Sequence, residues 1–245
     1  MVKLSKRLQT IAEKVHIGEK VADIGTDHGL LPIFLYENAI SPFVVLVDIN
    51  EGPLEKAREN ISRYTKNQTF DLRLGSGLEP LKVGEVDVVV IAGMGGLLMC
   101  EILQKDLQKT KSYGKLVLQP RNAPEKLRKW LLLHGFQITD EVLVEEGRFL
   151  CEIIVAQPIE SADVLSKEQI DYMETMLELE VNPILFEKRD PLLPAYIRNK
   201  IRIEQTILKE IVSGVGDASH QRCKEANRRI CLLIEKMKHM EVESD

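Results

Sequence analysis

The chain has 245 residues, long enough for one large domain or for a standard domain with a smaller companion, and its formal net charge is −5. Phosphate binding rests on lysine and arginine, so this charge argues against a uniformly basic nucleic-acid protein, although segregated charge escapes a net count. The four cysteines (Cys100, Cys151, Cys223, Cys231) are far apart and form no CxxC or Cys/His cluster, which excludes a disulfide framework or zinc ribbon and leaves no metal expected.

The first stretch, "MVKLSKRLQTIAEKV", has an amphipathic helix pattern and no apolar signal-peptide core. The longest apolar run, "VVVIAGMGGLLMC", is broken by three glycines and falls short of the roughly 20 residues that a membrane span needs. The expectation is a cytoplasmic chain with no membrane partner.

From Lys20 to about Gln157, short apolar runs alternate with helical patterns. "KVADIG", "FVVLVDI", "TFDLRLG", "VDVVVIAG" and "KLVLQP" read as strands, with stretches such as "EGPLEKARENISRYTKN" and "APEKLRKWLLLHG" between them. Continuous apolar strands alternating with helices predict a doubly wound α/β domain with a parallel sheet. "QITDEVLVEEGRFLCEIIVAQP" breaks the alternation: two strand patterns around "EEGR" leave no room for a crossover helix and predict an antiparallel hairpin.

Beyond Pro158 the texture becomes helical, so residues 1–158 and 159–245 are expected to form separate domains. Apolar positions recur at helical spacing in three patterns. They are Ile170, Met173 and Leu177; Ile197, Ile201, Leu208 and Ile211; and Cys223, Ala226, Ile230, Ile234 and Met237. Such stripes suit an antiparallel helical hairpin or coiled coil packed on a few further turns. Basic stretches here, "KRDPLLPAYIRNKIR" and "RCKEANRRICLLIEKMK", serve either as solvated helix faces or as a nucleic-acid surface.

Chemistry in an open α/β sheet is expected in the loops beyond the carboxyl ends of the strands. "DIGTDHG" follows the first strand and offers Asp23, Gly25, Thr26, Asp27, His28 and Gly29. Asp48, 19 residues beyond Gly29, suits the ribose hydroxyls of an adenosine, with Ile49 and Asn50 beside it; Asn50 also suits the cap of the next helix. Gly75, Ser76 and Gly77 allow close backbone approach to an adenine or form a tight turn. Ala92, Gly93 and Met94 lead the glycine-rich "IAGMGG". Gln119 and Arg121 of "LQPRNAP" complete the rim. No serine or cysteine elbow supports a hydrolase triad.

Asp27 discriminates between cofactors. A carboxylate in this loop repels the pyrophosphate of a dinucleotide and attracts a cation, and no GxGxxG run is present. The alternative for Asp27 is a cap on the following helix.

These residues carry a resemblance. "LSKRL", "VADIGTDHGLLP", "VDIN", "GSGLEPL", "IAGMGG", "LQPRNAPEKLRKWLLLHGF" and "NPILFEKRDPLL" together resemble the bacterial tRNA (adenine-22 N1)-methyltransferase family over nearly the whole chain. The resemblance implies a Rossmann-like class I methyltransferase sheet, S-adenosyl-L-methionine as cofactor, tRNA as substrate, and a helical second domain that helps engage RNA. It implies that Asp23, Gly25, Asp27 and Gly29 line the methionine end of the cofactor, that Asp48 and Ile49 meet its ribose and adenine, and that Gly75 to Gly77 meet the adenine. Gly93 and Met94 would stand between cofactor and target base. Asp27 is the candidate catalytic carboxylate for charge developing on the adenine. Arg7, Arg121, Tyr196, Arg198, Arg202, Arg228 and Arg229 are the candidate RNA contacts. The rival readings are a class I methyltransferase for a small molecule or protein, and a non-catalytic RNA-binding protein on the same fold.

Overall fold

The computed structural model describes residues 2–65, 70–160, 164–215 and 221–242. The chain divides into two compact units, Met1–Ser166 and Lys167–Asp245.

The first unit runs α1 (Lys6–Ala12), β1 (Val21–Ile24), α2 (Leu30–Glu37), β2 (Val44–Asp48), α3 (Glu51–Tyr64), β3 (Asp71–Leu74), β4 (Val88–Met94), α4 (Gly96–Gln104), α5 (Leu107–Lys111), β5 (Lys115–Pro120), α6 (Pro124–Leu133), β6 (Phe136–Glu146) and β7 (Phe149–Pro158). Its seven strands lie in the order β3-β2-β1-β4-β5-β7-β6. β1 to β5 pair in parallel, and β7 enters antiparallel between β5 and β6. This is a class I methyltransferase sheet, mostly parallel with the terminal hairpin that its sequence pattern predicts. The order reverses between β1 and β4, so the topological switch lies above their carboxyl ends.

β1, β2 and β5 are buried at every position, which explains why they read as unbroken apolar runs. Alternate residues serve opposite faces. Val88 and Val90 join a core cluster with Ile11 of α1, Ile33 of α2 and Ala57 of α3. The intervening Val89 and Ile91 are equally buried but lie outside that cluster.

The hairpin holds a buried ion cluster. Arg128 of α6 is fully buried and donates to Glu141 of β6 and Glu152 of β7. Two carboxylates beside one guanidinium tie the helix to both antiparallel strands.

The second unit contains α7 (Lys167–Thr175), α8 (Pro183–Glu187), α9 (Leu193–Val215) and α10 (Gln221–Val242). α9 and α10 pack on each other around Ile197, Ile211, Cys223, Ala226 and Leu233, all buried. Ile201, Leu208, Ile230 and Ile234 flank this seam as half-buried residues.

One helical expectation fails. Leu177 does not continue the stripe of Ile170 and Met173, because α7 stops at Thr175 and Leu177 adopts the left-handed conformation with φ 57°. Glu178 N–H donates to Met173 C=O and Leu177 N–H to Glu174 C=O, the bonds of a Schellman stop. Glycine usually holds this position. A leucine there costs roughly 1–2 kcal/mol, which full burial of its side chain, worth roughly 1.5–3 kcal/mol, offsets; Leu177 is 1% exposed.

Candidate active site

The β1–α2 loop begins where buried Ile24 meets solvent. Gly25, Asp27 and Gly29 adopt positive φ (74°, 49° and 67°), so every second residue of the loop is left-handed. Aspartate is among the few side-chain residues that tolerate this conformation, which accounts for the backbone at Asp27. Its carboxylate does not cap α2: the N-cap position is Gly29, without a side-chain bond. Instead the Asp27 Oδ2 atom lies 2.8 Å from His28 Nδ1, and the aspartate side chain is 66% exposed.

Asp23 lies deeper. Its Oδ2 accepts the Thr26 hydroxyl at 2.7 Å. Among the described residues no lysine or arginine pairs with it. Burial is the main force pushing its carboxyl up, from 3.8 to about 6; the Thr26 bond opposes the rise, the charge of Asp48 adds to it, and Arg7 acts weakly against it through space. Asp48 ends β2, is itself buried, and accepts Asn50 N–H at 2.9 Å on Oδ1. Asn50 occupies the N-cap position of α3 without a side-chain capping bond.

The neighbouring loops shape the walls. β4 shifts register between Ala92 and Met94, and Gly93 (φ 77°) faces open space. Gly93 N–H donates to Gln119 Oε1 at 3.2 Å, and Arg7 Nη1 donates to the same oxygen at 3.0 Å. Arg7 Nε also donates to Glu146 Oε1, whose other oxygen accepts Ser5 Oγ and Arg7 N–H. Burial would raise the Glu146 carboxyl, but the Ser5 bond and the Arg7 charge hold it below its ordinary value. Helix α1 is thereby fastened to the hairpin across the end of β5.

These parts enclose a cleft of about 880 Å³ at the carboxyl edge of the sheet, within the usual range for small-molecule sites. It is lined by Asp23, Gly25, Thr26, Asp27, His28, Asp48, Ile49, Asn50, Gly75, Ser76, Gly77, Ala92, Gly93 and Met94, and also by Arg7, Gln119 and Arg121.

A family model described as a methyltransferase domain matches residues 4–154. The chain is 32% identical over 239 residues to tRNA (adenine(22)-N(1))-methyltransferase of Bacillus subtilis (strain 168), covering 97% of this chain and 98% of the relative. The chain belongs to this methyltransferase family. Among solved structures, a candidate tRNA (m1A22) methyltransferase of Streptococcus pneumoniae in complex with S-adenosyl-L-methionine superposes with a TM-score of 0.79 at 28% identity, covering 96% of this chain and 100% of the other. The Mycoplasma capricolum family member in complex with S-adenosyl-homocysteine superposes with a TM-score of 0.75 at 26% identity, covering 96% and 98%.

In this family member several glycines also answer to packing against neighbouring side chains. Gly29 does not line the cleft; a Cβ there would meet Ala57 Cβ at 3.1 Å and Leu46 Cδ2 at 3.2 Å. A Cβ on Gly75 would collide with Pro80, and one on Gly77 would lie 2.7 Å from Ile102 Cγ2. At Gly25 the space belongs to the Met94 methyl.

The candidate RNA contacts divide sharply. Arg7 and Arg121 line the cleft, Arg7 with its guanidinium already engaged by Glu146 and Gln119, while Arg198 and Arg202 are exposed on α9. Tyr196 is buried, with its hydroxyl donating to Glu180 C=O at 3.0 Å, so it offers no free face for stacking. Arg229 is committed to Glu180 and Glu204, and Arg228 to Glu225 and the Thr175 carbonyl.

The hairpin residues Glu146, Phe149 and Cys151 also line the cleft and were not evident from the sequence. The available signal was the length of β6 and β7, which carries them past the shorter β5.

Proposed function

We propose that this chain transfers a methyl group from S-adenosyl-L-methionine to N1 of an adenine in tRNA, at position 22 in the D-arm region. The observation that carries the reading is the buried, unneutralised Asp23 beside Asp48 at the topological switch. A net cationic cofactor with sulfonium and ammonium groups relieves that charge, whereas a pyrophosphate would deepen it. The acidic donor set fits the proposed cofactor, which supplies an electrophilic methyl group when bound.

Asp23, Thr26, Asp27 and His28 serve the methionine end, with Gly25 giving room for the Met94 wall. Asp48, Ile49 and Asn50 serve the ribose and adenine, with Ser76 held between two packed glycines. Ala92, Gly93 and Met94 separate cofactor from target base. Adenine N1 carries a lone pair at neutral pH, so the chain needs no strong base; orientation supplies most of the acceleration. Asp27, exposed at the cleft, is the carboxylate assigned to the positive charge that the methylated ring acquires.

The first unit performs the transfer, with Arg7 and Arg121 at its cleft as phosphate or base contacts, and the second contributes to tRNA binding through Arg198 and Arg202. The test is transfer of labelled methyl to unmodified tRNA, followed by primer extension. A new stop at the single target adenine is expected, since methylated N1 blocks pairing. Tight cofactor binding without transfer to tRNA would redirect the assignment to a small-molecule or protein substrate.

A further inference from the structure

The hairpin register places an aromatic ring where a target base would enter. Leu116 and Leu118 of β5 pair with Ala156 and Ile154 of β7. Continuing that register sets Pro120, the last residue of β5, level with Glu152. Phe149 lies three residues farther along, from 152 to 149, or about 10 Å beyond the end of the parallel strands at roughly 3.4 Å per residue.

The overhang is tightly built. Glu146 pairs with Phe149, leaving a two-residue turn of Gly147 and Arg148. Gly147 has φ 62° and Arg148 is not left-handed, the pattern of a type II′ turn matched to strand twist. Glu146 is anchored to α1 through Ser5 and Arg7. Phe149 is 62% exposed, and among the described residues it is the one phenylalanine, tyrosine or tryptophan that lines the cleft. The Arg148 guanidinium lies 5.1 Å from the ring centroid. An exposed apolar ring on a fixed support is a stacking platform in search of a flat partner.

We propose that Phe149 stacks against the target adenine once it has left the tRNA helix, and that the hairpin tip holds its N1 toward the cofactor side of the cleft. This rests on the tRNA methyltransferase reading above. N1 lies on the pairing edge, so the base must be exposed before reaction, and an extruded base is commonly received on an aromatic face. The β1, β2 and β3 loops serve the cofactor, which leaves the part of the cleft bounded by β4, β5 and the hairpin for the base. Arg148 adds a cation above the same ring and suits the neighbouring phosphate or the base plane.

The test compares Phe149→Leu, Phe149→Tyr and Phe149→Trp in the full chain under single-turnover conditions with unmodified tRNA, with cofactor affinity measured in parallel. Loss of base stacking is expected to slow methyl transfer about tenfold or more in Phe149→Leu, with near-normal rates in the aromatic variants and unchanged cofactor affinity in all three. A Phe149→Leu rate within twofold of the wild type would overturn the platform while leaving the tRNA reading intact. Equal losses in all three variants together with weakened cofactor binding would also overturn it, by showing a merely structural wall. A wild-type chain that binds cofactor but methylates no tRNA would remove the parent reading and this inference with it.

Discussion

The first unit buries carboxylates in two regions and treats them in opposite ways. Under the hairpin, Glu141 and Glu152 share the buried guanidinium of Arg128. At the mouth of the sheet, Asp23 has a hydroxyl for a partner and a second carboxylate, Asp48, for a neighbour. The hairpin cluster is electrostatically paired within the chain. Among the described residues the Asp23 site is not, and a buried charge left in that state costs the fold stability. The contrast separates a charge that holds the fold from one that the proposed cationic cofactor would neutralise.

The largest effect should come from breaking the paired cluster. Arg128→Met leaves two carboxylates buried without their cation and should destabilise the chain by about 3–5 kcal/mol, read by urea denaturation. A loss below about 1 kcal/mol would mean that the cluster is not the hairpin's anchor.

Neutralising the other region should act in the opposite direction. The rise of the Asp23 carboxyl from 3.8 to about 6 corresponds to a cost of up to about 3 kcal/mol in the folded, ligand-free state at neutral pH. Because the folded value is the higher one, the folded state binds more protons between the two values, so this group favours folding as pH falls from 6 toward 4. Asp23→Asn should therefore raise ligand-free stability at pH 7 and flatten its pH dependence in that window, while cutting cofactor affinity tenfold or more. A variant that is less stable and binds cofactor normally would reverse the comparison.

Asp48→Ala should fall between these extremes. It removes one acceptor for Asn50 N–H, worth about 1 kcal/mol of stability, and about tenfold in cofactor affinity, measured by calorimetry. Unchanged affinity would undo the ribose assignment.

The smallest effect belongs to the second unit. Arg198 is exposed and has no ion-pair partner among the described residues, whereas Arg229 is held by Glu180 and Glu204. Arg198→Glu should weaken tRNA binding a few-fold and lower its salt dependence, without altering cofactor affinity. Binding assays across a salt series would read this, and an unchanged slope would take Arg198 off the RNA surface.

Much of this arrangement was legible in the sequence because its causes are local. Buried parallel strands read as apolar runs, and the loops that follow them, with Asp23, Asp27 and Asp48, line the cleft at the carboxyl edge of the sheet. The parts that were not legible depend on distant partners. Gly75 and Gly77 line the cleft as their loop position suggests, but the sequence could not show that Pro80 and Ile102 occupy the space a side chain there would need. Tyr196 reads as a candidate RNA contact in the sequence, whereas the fold buries it and brings the Glu180 carbonyl to its hydroxyl. Leu177 kept helical spacing while its backbone turned left-handed, since burial rather than periodicity decides that position. Phe149 became visible only through the register that sets one strand longer than its neighbour.

The claim that Asp23 is held for a cation is tested most directly by proton release on cofactor binding. Titration with S-adenosyl-L-methionine near pH 6, in two buffers of different ionisation enthalpy, should show release of a substantial fraction of one proton as Asp23 loses the proton that burial lets it keep. Asp23→Asn should show none of this release. Absence of release in the wild type, or equal release in both proteins, would contradict the account.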